Sequence, residues 1–296
     1  MEPAPRLSPP PPPERLYLRL DGDPVYAPET TVPAGTLREF AVPAPLQAQV
    51  AHLIAYQEAL PPGTVVHERV LPDGALRLSV DSVAGTVQIA GPSVRPVQLA
   101  LRGPLRGLSL TLRPGAAPAL FGGLPAHALA ERQLDWDTLV PPALRGLALH
   151  LQEAPDEAAR VQRLVDALAR AQRPADPAAS ADLRKVRQAV ALLRPGAGEA
   201  RIAEAAAAVG VGERRLQQLF RAQLGLSPRT WSRLMRLHGC LQRLREPGPP
   251  RWSELALDSG FYDQSHLVRE FQALCGLSPG AFLQRRRVSL SSKTAR

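Results

Sequence analysis

Apolar and polar residues alternate along several short segments of the first 112 residues. In 75–81, Leu76, Leu78 and Val80 share one face, and 107–112 repeats this pattern with three leucines. Such alternation predicts half-buried β-strands. Three further apolar segments between Gly and Pro turn signals extend the interpretation, at 64–71, 86–91 and 96–101.

Other segments have the spacing of a helix. Large apolar residues between Leu46 and Ile54 recur at helical intervals, so 45–60 is predicted to be a helix that interrupts the strands. The spacing becomes helical again from about 114 to 172. Together these patterns predict an α+β domain over 16–173.

Beyond residue 181 the apolar pattern is helical throughout. We interpret the proline-rich segment 1–15 as a disordered arm, the Pro/Ala/Asp-rich segment 174–181 as a linker, and 182–287 as an all-α domain followed by a basic tail at 288–296. Helices are predicted at 181–194, 201–210, 213–225, 228–246, 252–260, 263–276 and 279–287.

One phrase occurs twice in this domain, as GLSPRTW at 225–231 and as GLSPGAF at 276–282. In each copy the Gly can adopt the left-handed conformation that ends a helix. The Ser can cap the N-terminus of the next helix, and the Pro fits the first position of that helix. The Leu and the final aromatic residue have the spacing of a hydrophobic staple. Each phrase therefore predicts a sharp junction between two helices.

The repeat extends upstream of the phrase, and its second copy has one residue more. Gly210 and Gly260 correspond at an offset of 50, whereas Leu216 and Leu267 correspond at 51. A short helix, a tight turn with Gly and a second helix with a polar outer face form a helix-turn-helix unit. Two such units joined by a helix of about 27 Å predict binding in two successive major grooves of DNA.

The outer faces of the two second helices carry side chains that hydrogen-bond base edges or phosphates, and neither offers the paired carboxylates of an enzyme. The first face is formed by Arg214, Arg215, Gln217, Gln218 and Arg221, and the second by Gln264, Ser265, His266, Val268 and Arg269, with Gln272 beyond them.

The charge distribution favours the same function. The 296 residues carry a net charge of +9, of which 181–296 contribute 20 Lys and Arg against 9 Asp and Glu, and 1–180 contribute 16 against 18. A basic module (net +11) joined to a nearly neutral one (net −2) indicates contact with a polyanion. A nonspecific architectural DNA-binding protein shares this asymmetry and remains the alternative.

Other classes of protein find less support. No apolar run reaches the ~18 residues of a membrane span, and the N-terminus lacks the features of a secretory signal, so a cytoplasmic, nucleoid-associated protein is expected. No nucleophile–base pair, phosphate loop or metal-ligand set recurs, so we predict no enzyme activity, metal or cofactor. Cys240 and Cys275 fall on apolar helix faces and are predicted to be core residues rather than a redox switch.

Three polar residues in the N-terminal domain are candidates for an effector site. Asp73 and Gly74 most simply form a hairpin turn. Asp73 could instead line the mouth of a pocket together with Glu68 and Arg69. Both interpretations stay open at this point.

The C-terminal region resembles the DNA-binding domain of the AraC/XylS (arabinose-operon regulator) family of bacterial transcription factors. The resemblance rests on IAEAAAAVGVGERRLQQLFRAQLGLSPRTW, on MRLHGCLQRLRE and, most specifically, on WSELALDSGFYDQSHLVREFQALCGLSPGAF. It implies two helix-turn-helix subdomains joined by a long helix, asymmetric sites near promoters and contact with RNA polymerase. By position, it implies base contacts from Arg214, Gln218, Gln264, Ser265, Val268 and Arg269.

The sequence departs from the family pattern at Gly212, where Ser or Thr is usual as a cap, and at Gly239-Cys240, where the connecting helix usually has Ala. The region 35–170 resembles an uncharacterised domain that precedes this DNA-binding domain in many bacterial regulators, which implies sensing or dimerisation. We therefore expect a transcription factor, activator or repressor, that binds promoter DNA, responds to an unidentified small molecule and can form a homodimer.

Overall fold

The structure is a computed structural model that describes residues 14–20, 22–173, 176–193 and 202–294, with side chains to residue 286. Within these ranges no helix is both long enough and apolar enough to cross a membrane. Most of the predicted proline-rich arm, residues 174 and 175 of the predicted linker, and residue 201 at the start of a predicted helix lie outside them.

Strands of the N-terminal region form two sheets. They are β1 (Arg15–Tyr17), β2 (Leu37–Phe40), β3 (Val50–Ala59), β4 (Val65–Val70), β5 (Leu76–Asp81), β6 (Thr86–Ala90), β7 (Val97–Arg102), β8 (Pro104–Leu112) and β9 (Gln133–Asp135). The larger sheet is antiparallel with the order β2-β3-β8-β5-β6-β9, and the smaller has the order β1-β4-β7. In β5 the predicted alternation is confirmed, because Leu76, Leu78 and Val80 are buried.

Four helices cover one face of the larger sheet. They are α1 (Ala116–Leu120), α2 (Trp136–Leu139), α3 (Leu147–Gln152) and α4 (Glu157–Ala171). Leu164 and Leu168 of α4 share a core with the leucines of β5 and β8. Trp136 is fully buried in that core, and its indole N–H donates to the carbonyl of Leu144 at 3.0 Å. The predicted α+β fold of the N-terminal domain is therefore confirmed, and strands are its main elements between residues 15 and 135.

The predicted helix at 45–60 is wrong, because only a 3-10 turn at Ala44–Leu46 is helical and β3 follows it. β3 lies between β2 and β8, and its consecutive residues Leu53, Ile54 and Ala55, which point to opposite faces of the sheet, are all buried. A break in register between Val50 and His52 marks a β-bulge, which disturbs the alternation of side chains. The resulting spacing of apolar residues imitates that of a helix.

Two other details of the N-terminal domain also differ from the prediction. β4 and β5 belong to different sheets, so Asp73 and Gly74 carry the chain from one sheet to the other and do not form a hairpin. Part of the segment with helical spacing from about 114 to 172 is also different, because residues 119–134 contain only the end of a short helix, one 3-10 turn and the start of β9. β9 pairs with β6, which completes the edge of the larger sheet.

The C-terminal region is helical, as predicted. Its helices are α5 (Pro177–Leu192), α6 (Ile202–Ala208), α7 (Glu213–Leu224), α8 (Pro228–Arg243), α9 (Trp252–Asp258), α10 (Gln264–Cys275) and α11 (Pro279–Thr294). The proposed segment boundaries differ at three places: β1 already begins at Arg15, α5 begins at Pro177, and the backbone of α11 continues to Thr294.

The two regions share a hydrophobic core. Leu16, Leu18 and Leu20 of the N-terminal segment, with Leu71 after β4, belong to the same buried cluster as the apolar residues of α8 to α11. We call this cluster the shared core. The second helix-turn-helix unit is thus completed by side chains from the other end of the chain.

Hydrogen bonds from one arginine to two carboxylates reinforce the shared core, and we call this arrangement the fork. Arg245, just after α8, donates to both carboxylate oxygens of Asp23 at 2.8 and 2.9 Å and to those of Glu29 at 2.7 and 3.1 Å. Burial alone raises the pKa of Asp23, but the bonds from Arg245 and from the amide of Leu20 outweigh burial, so the net pKa is lowered. The same carboxylates raise the pKa of Arg245, although its partial burial opposes this.

Leu18→Ala should destabilise the second helix-turn-helix unit although residue 18 is far from it in sequence. Leu18 is 0% exposed, and emptying such a site costs about 2–5 kcal/mol of unfolding free energy. We expect faster amide hydrogen exchange in α10 as well as in β1. Leu149→Ala, at a position that is 67% exposed, is the control and should change neither. Unchanged exchange in α10 would contradict the shared core.

Asp23→Asn should remove a pH-dependent part of the stability. Because the folded pKa of Asp23 is lowered, its contribution is complete above the ordinary value near 3.8 and is lost as the pH falls through the folded pKa. We expect the variant to lose about 1–3 kcal/mol of unfolding free energy at neutral pH and to approach the wild type below about pH 4. Urea denaturation at several pH values measures this. The exposed Asp258→Asn is the control, and a pH-independent deficit would argue against the fork.

Candidate nucleic-acid interface

The turn between the two helices of each helix-turn-helix unit contains a glycine with a positive φ angle. Gly210, between α6 and α7, has φ of 68°, and Gly260, between α9 and α10, has φ of 76°. The next amides, of Val211 and Phe261, donate to the carbonyl five residues earlier at 3.0 and 2.9 Å. The same turn is therefore built twice, as the repeat predicts.

The repeated GLSP phrase forms the junction that follows each of these second helices. Gly225 and Gly276 close α7 and α10 with φ of 81° and 67°. The hydroxyl of Ser227 accepts from the amide of Thr230 at 3.1 Å, and that of Ser278 accepts from the amide three residues later at 3.2 Å. The predicted caps are confirmed in both copies.

The inner faces of α7 and α10 are buried as predicted, which leaves their outer faces toward solvent. The buried residues are Leu216, Phe220 and Leu224 in α7, and Leu267, Phe271 and Cys275 in α10. Those of α7 pack with α5 and α6, and those of α10 belong to the shared core.

The structure leaves all five candidate residues of α7 exposed. They are Arg214, Arg215, Gln217, Gln218 and Arg221. Arg215 has a partner within the domain, since its guanidinium lies 2.7 Å from the carboxylate of Asp182 on α5. The other four stand on the free face of the helix.

The candidate residues of α10 are less uniform. Gln264, Ser265 and Arg269 are exposed, whereas His266 and Val268 are half-buried. The ring of His266 packs edge-on against Phe261 with 5.5 Å between centroids, and its Nδ1 accepts from the amide of Tyr262 at 3.2 Å. The imidazole is therefore engaged with the turn that precedes the helix.

The connecting helix α8 joins the two units without a break. Its 16 residues span about 24 Å at the rise of an α-helix, somewhat less than the sequence indicated. Gly239 and Cys240 are buried inside it, so the departure from Ala is accommodated. Arg233 of α8 forms an ion pair with Glu270 of α10, which ties α10 to the connecting helix.

One exposed residue near α10 was missed by the sequence analysis. Tyr262 lies in the turn before α10, and 85% of it is exposed. The one-residue difference between the two copies was the available signal, because Gly212 caps α7 directly after Val211 whereas Asp263 caps α10 one residue later. Tyr262 is thus the additional residue of the second turn.

The two cysteines are buried and free. Burial raises the pKa of Cys240 to about 12 and raises that of Cys275 as well. Thiolates are the reactive form of cysteine, so these thiols have the character of core residues. Among the described residues no group of three His, Cys, Asp or Glu side chains is arranged to hold a metal ion.

The three candidate effector residues are not brought together. Arg69 binds Glu14 at 2.9 and 3.0 Å and donates to the carbonyl of Cys275 at 3.3 Å. Burial raises the pKa of Glu68, which lies beside Arg15. Asp73 alone of the three lines a cavity of about 70 Å³.

This cavity lies where the N-terminal domain meets the first helix-turn-helix unit. Asp73, Gly74 and Arg113 line one side, and Gln223 and Trp231 line the other. It is well below the roughly 300–1,000 Å³ of usual small-molecule sites. The cavity as it stands therefore holds only a small group.

Comparison with known proteins agrees with this architecture. Residues 205–285 match a helix-turn-helix domain family, and residues 38–135 match a domain of unknown function, DUF6597. No curated protein matches the sequence significantly.

Among solved structures, an apo variant of ToxT from Vibrio cholerae strain SCE256 is 12% identical, with a TM-score of 0.38 over 79% of this chain and 97% of that one. Wild-type ToxT from the same strain with a bound unsaturated fatty acid is 13% identical, with a TM-score of 0.34 over 77% and 90%.

The duplicated turn, the exposed polar faces and the matching domain together define a DNA-binding transcription regulator. Its helix-turn-helix domain is of the AraC type, so the resemblance identified in the sequence is confirmed, with a DUF6597 domain before it.

Proposed function

We propose that the protein recognises specific promoter sequences through α7 and α10, and that a small-molecule effector acting on the N-terminal domain changes this recognition. The observation that carries the first part is the pair of exposed polar faces on two matching scaffolds. Base-edge contacts need donors and acceptors that project from a rigid helix, and both faces supply them.

The two faces differ in chemistry, which supports recognition of two unlike half-boxes. The face of α7 offers Arg and Gln side chains with long reach. That of α10 offers Gln264 and Ser265 at its first positions, with Val268 and Arg269 one turn later. Valine suits contact with a thymine methyl group, and arginine suits guanine.

The packing of the N-terminal domain supports control by an effector. It contacts the first unit through the amide of Gly115, which donates to the carbonyl of Gln223 at 3.1 Å. It contacts the connecting helix through the carbonyl of Pro72, which accepts a hydrogen bond from Nε2 of His238 on α8 at 2.9 Å. It also contacts the second unit through the shared core. A ligand that reshapes this domain would therefore act on both recognition helices.

Further partners follow from the resemblance alone. Contact with RNA polymerase and formation of a homodimer are part of this proposal, as is action on the nucleoid in the cytoplasm. Light scattering of the full chain tests the dimer, for which twice the monomer mass is expected. The alternative function is nonspecific, architectural binding of DNA, which needs only the positive charge.

Selection from a random duplex library with the full-length protein tests sequence specificity. We expect enrichment of an asymmetric site with two boxes about ten base pairs apart. The selected duplex should bind at least about 10³-fold more tightly than random DNA. Strong, salt-sensitive binding without enrichment would favour the architectural alternative.

Arg269→Ala should impair discrimination in one box of the selected site. Loss of one bidentate base contact costs about 1–3 kcal/mol for the preferred base pair and little for the others. Competition between single-base variants of the duplex measures this. Arg170→Ala removes the same charge from an exposed position on α4 and should leave all affinities unchanged. An equal loss on every sequence would assign Arg269 to phosphate rather than to a base.

An effector should change the affinity of the full-length protein for the selected duplex. Coupling between sites in allosteric proteins is typically about 5–150-fold. Neighbouring genes of the selected promoters define the metabolites to test. If none of these metabolites changes the affinity, this set contains no effector and the effector part of the proposal loses its support.

A further inference from the structure

The turn of the second helix-turn-helix unit is one residue longer than that of the first, and the additional residue is Tyr262. In the first unit Gly210 is followed by Val211 and the cap Gly212. In the second unit Gly260 is followed by Phe261, and Tyr262 then precedes the cap. Both turns keep the same backbone hydrogen bond after the glycine, so the additional residue is accommodated after it.

Three contacts of His266 hold the turn around the additional residue. The amide of Tyr262 donates to Nδ1 of His266 at 3.2 Å, and the cap Asp263 accepts from the amide of His266 at 2.6 Å. The His266 ring also packs edge-on against Phe261, which is buried. The backbone on both sides of Tyr262 is therefore fixed, while its side chain is 85% exposed.

If α10 enters the major groove as proposed, the position of Tyr262 before the helix places it beside the groove rather than in it. The first residues of a recognition helix reach base edges, and Gln264 begins α10. A side chain two residues earlier in the chain stands at the rim of the groove, where the phosphates lie. Tyrosine hydroxyls are among the usual donors to phosphate oxygens.

The role of His266 follows from which of its ring nitrogens accepts a hydrogen bond within the protein. An Nδ1 that accepts a backbone hydrogen bond leaves Nε2 as the protonated nitrogen of the neutral ring. The residue at the same helical position of the first unit, Arg215, is likewise engaged within the protein, by Asp182. In both units the side chain at this helical position, His266 or Arg215, contacts a neighbouring part of the protein.

We infer that Tyr262 donates to a DNA phosphate beside the second half-box, and that His266 is a positioning residue that fixes Tyr262 rather than a base contact. The inference rests on the proposed function for its DNA part. The role of His266 within the turn is independent of DNA.

Variants of Tyr262 test the phosphate contact in the full-length protein. Tyr262→Phe removes only the hydroxyl and Tyr262→Ala removes the whole side chain. We expect each to weaken binding to the selected duplex and to random DNA alike, by about tenfold. The dependence of affinity on salt should keep its slope, because tyrosine carries no charge. Leu149→Ala, another large exposed residue, is the control and should bind as the wild type does.

Two outcomes would overturn the phosphate contact. Wild-type affinity of both Tyr262 variants on every duplex would show that residue 262 does not touch DNA. A loss confined to one base pair of the selected site would make Tyr262 a base contact instead.

Two conservative variants distinguish the roles of His266. His266→Asn keeps an acceptor near the position of Nδ1, whereas His266→Gln places its amide near that of Nε2. For a positioning residue, the Asn variant should retain the affinity for DNA and the Gln variant should lose about as much as Tyr262→Ala does. The reverse order would identify His266 as a base contact through Nε2.

Amide hydrogen exchange without DNA tests the same assignment separately. We expect the Tyr262 amide to exchange about tenfold faster in the Gln variant than in the wild type, and to stay protected in the Asn variant. Equal exchange in all three proteins would overturn the positioning role. If the wild type selects no duplex, the proposed function fails, and this measurement still decides the role of His266.

Discussion

The arrangement of the molecule depends on the burial of leucines from the N-terminal strand beneath the second helix-turn-helix unit. Leu16 and Leu18 are fully buried there, and each buried leucine of this kind is worth about 1.5–3 kcal/mol of transfer free energy. The fork of Arg245 on Asp23 and Glu29 fixes the direction in which the segment enters. The small sheet, the connecting helix α8 and α10 are therefore parts of one packed body.

The two copies of the helix-turn-helix unit share one backbone conformation at the turn but present different surfaces. Their turns require glycines at positive φ, where a Cβ would be strained, and their junctions require a capping serine before proline. These requirements concern the backbone and are met identically in both copies. The outer faces are under no such constraint, so they are free to differ. The additional residue Tyr262 changes the second surface while the turn below it keeps its hydrogen bond.

Local patterns in the sequence predicted local structure well. The alternation in β5, the GLSP junctions and the inner faces of α7 and α10 each depend on residues a few positions apart. The failures have longer-range causes. β3 imitates a helix because a bulge and burial on both faces remove its alternation. The separation of β4 and β5 into two sheets depends on partners far away in the chain.

The candidate site shows the same division. The exposed faces were predictable because helical spacing determines which side chains point outward. The engagement of Arg215 with Asp182 was not, since it joins residues on two helices whose packing no local pattern reveals. The role of His266 was also hidden, although the unequal offset of 50 and 51 between the copies already located the irregularity.

The shared core also determines the order in which the chain can fold during its synthesis. The ribosome releases Leu16 and Leu18 well before the helices α8 to α11, and domains generally fold as they emerge. These leucines therefore stay exposed until α8 to α11 have been made. A chain that ends before α8 leaves these leucines without the residues that bury them. Synthesis of α8 to α11 is thus a condition for burying the N-terminal leucines.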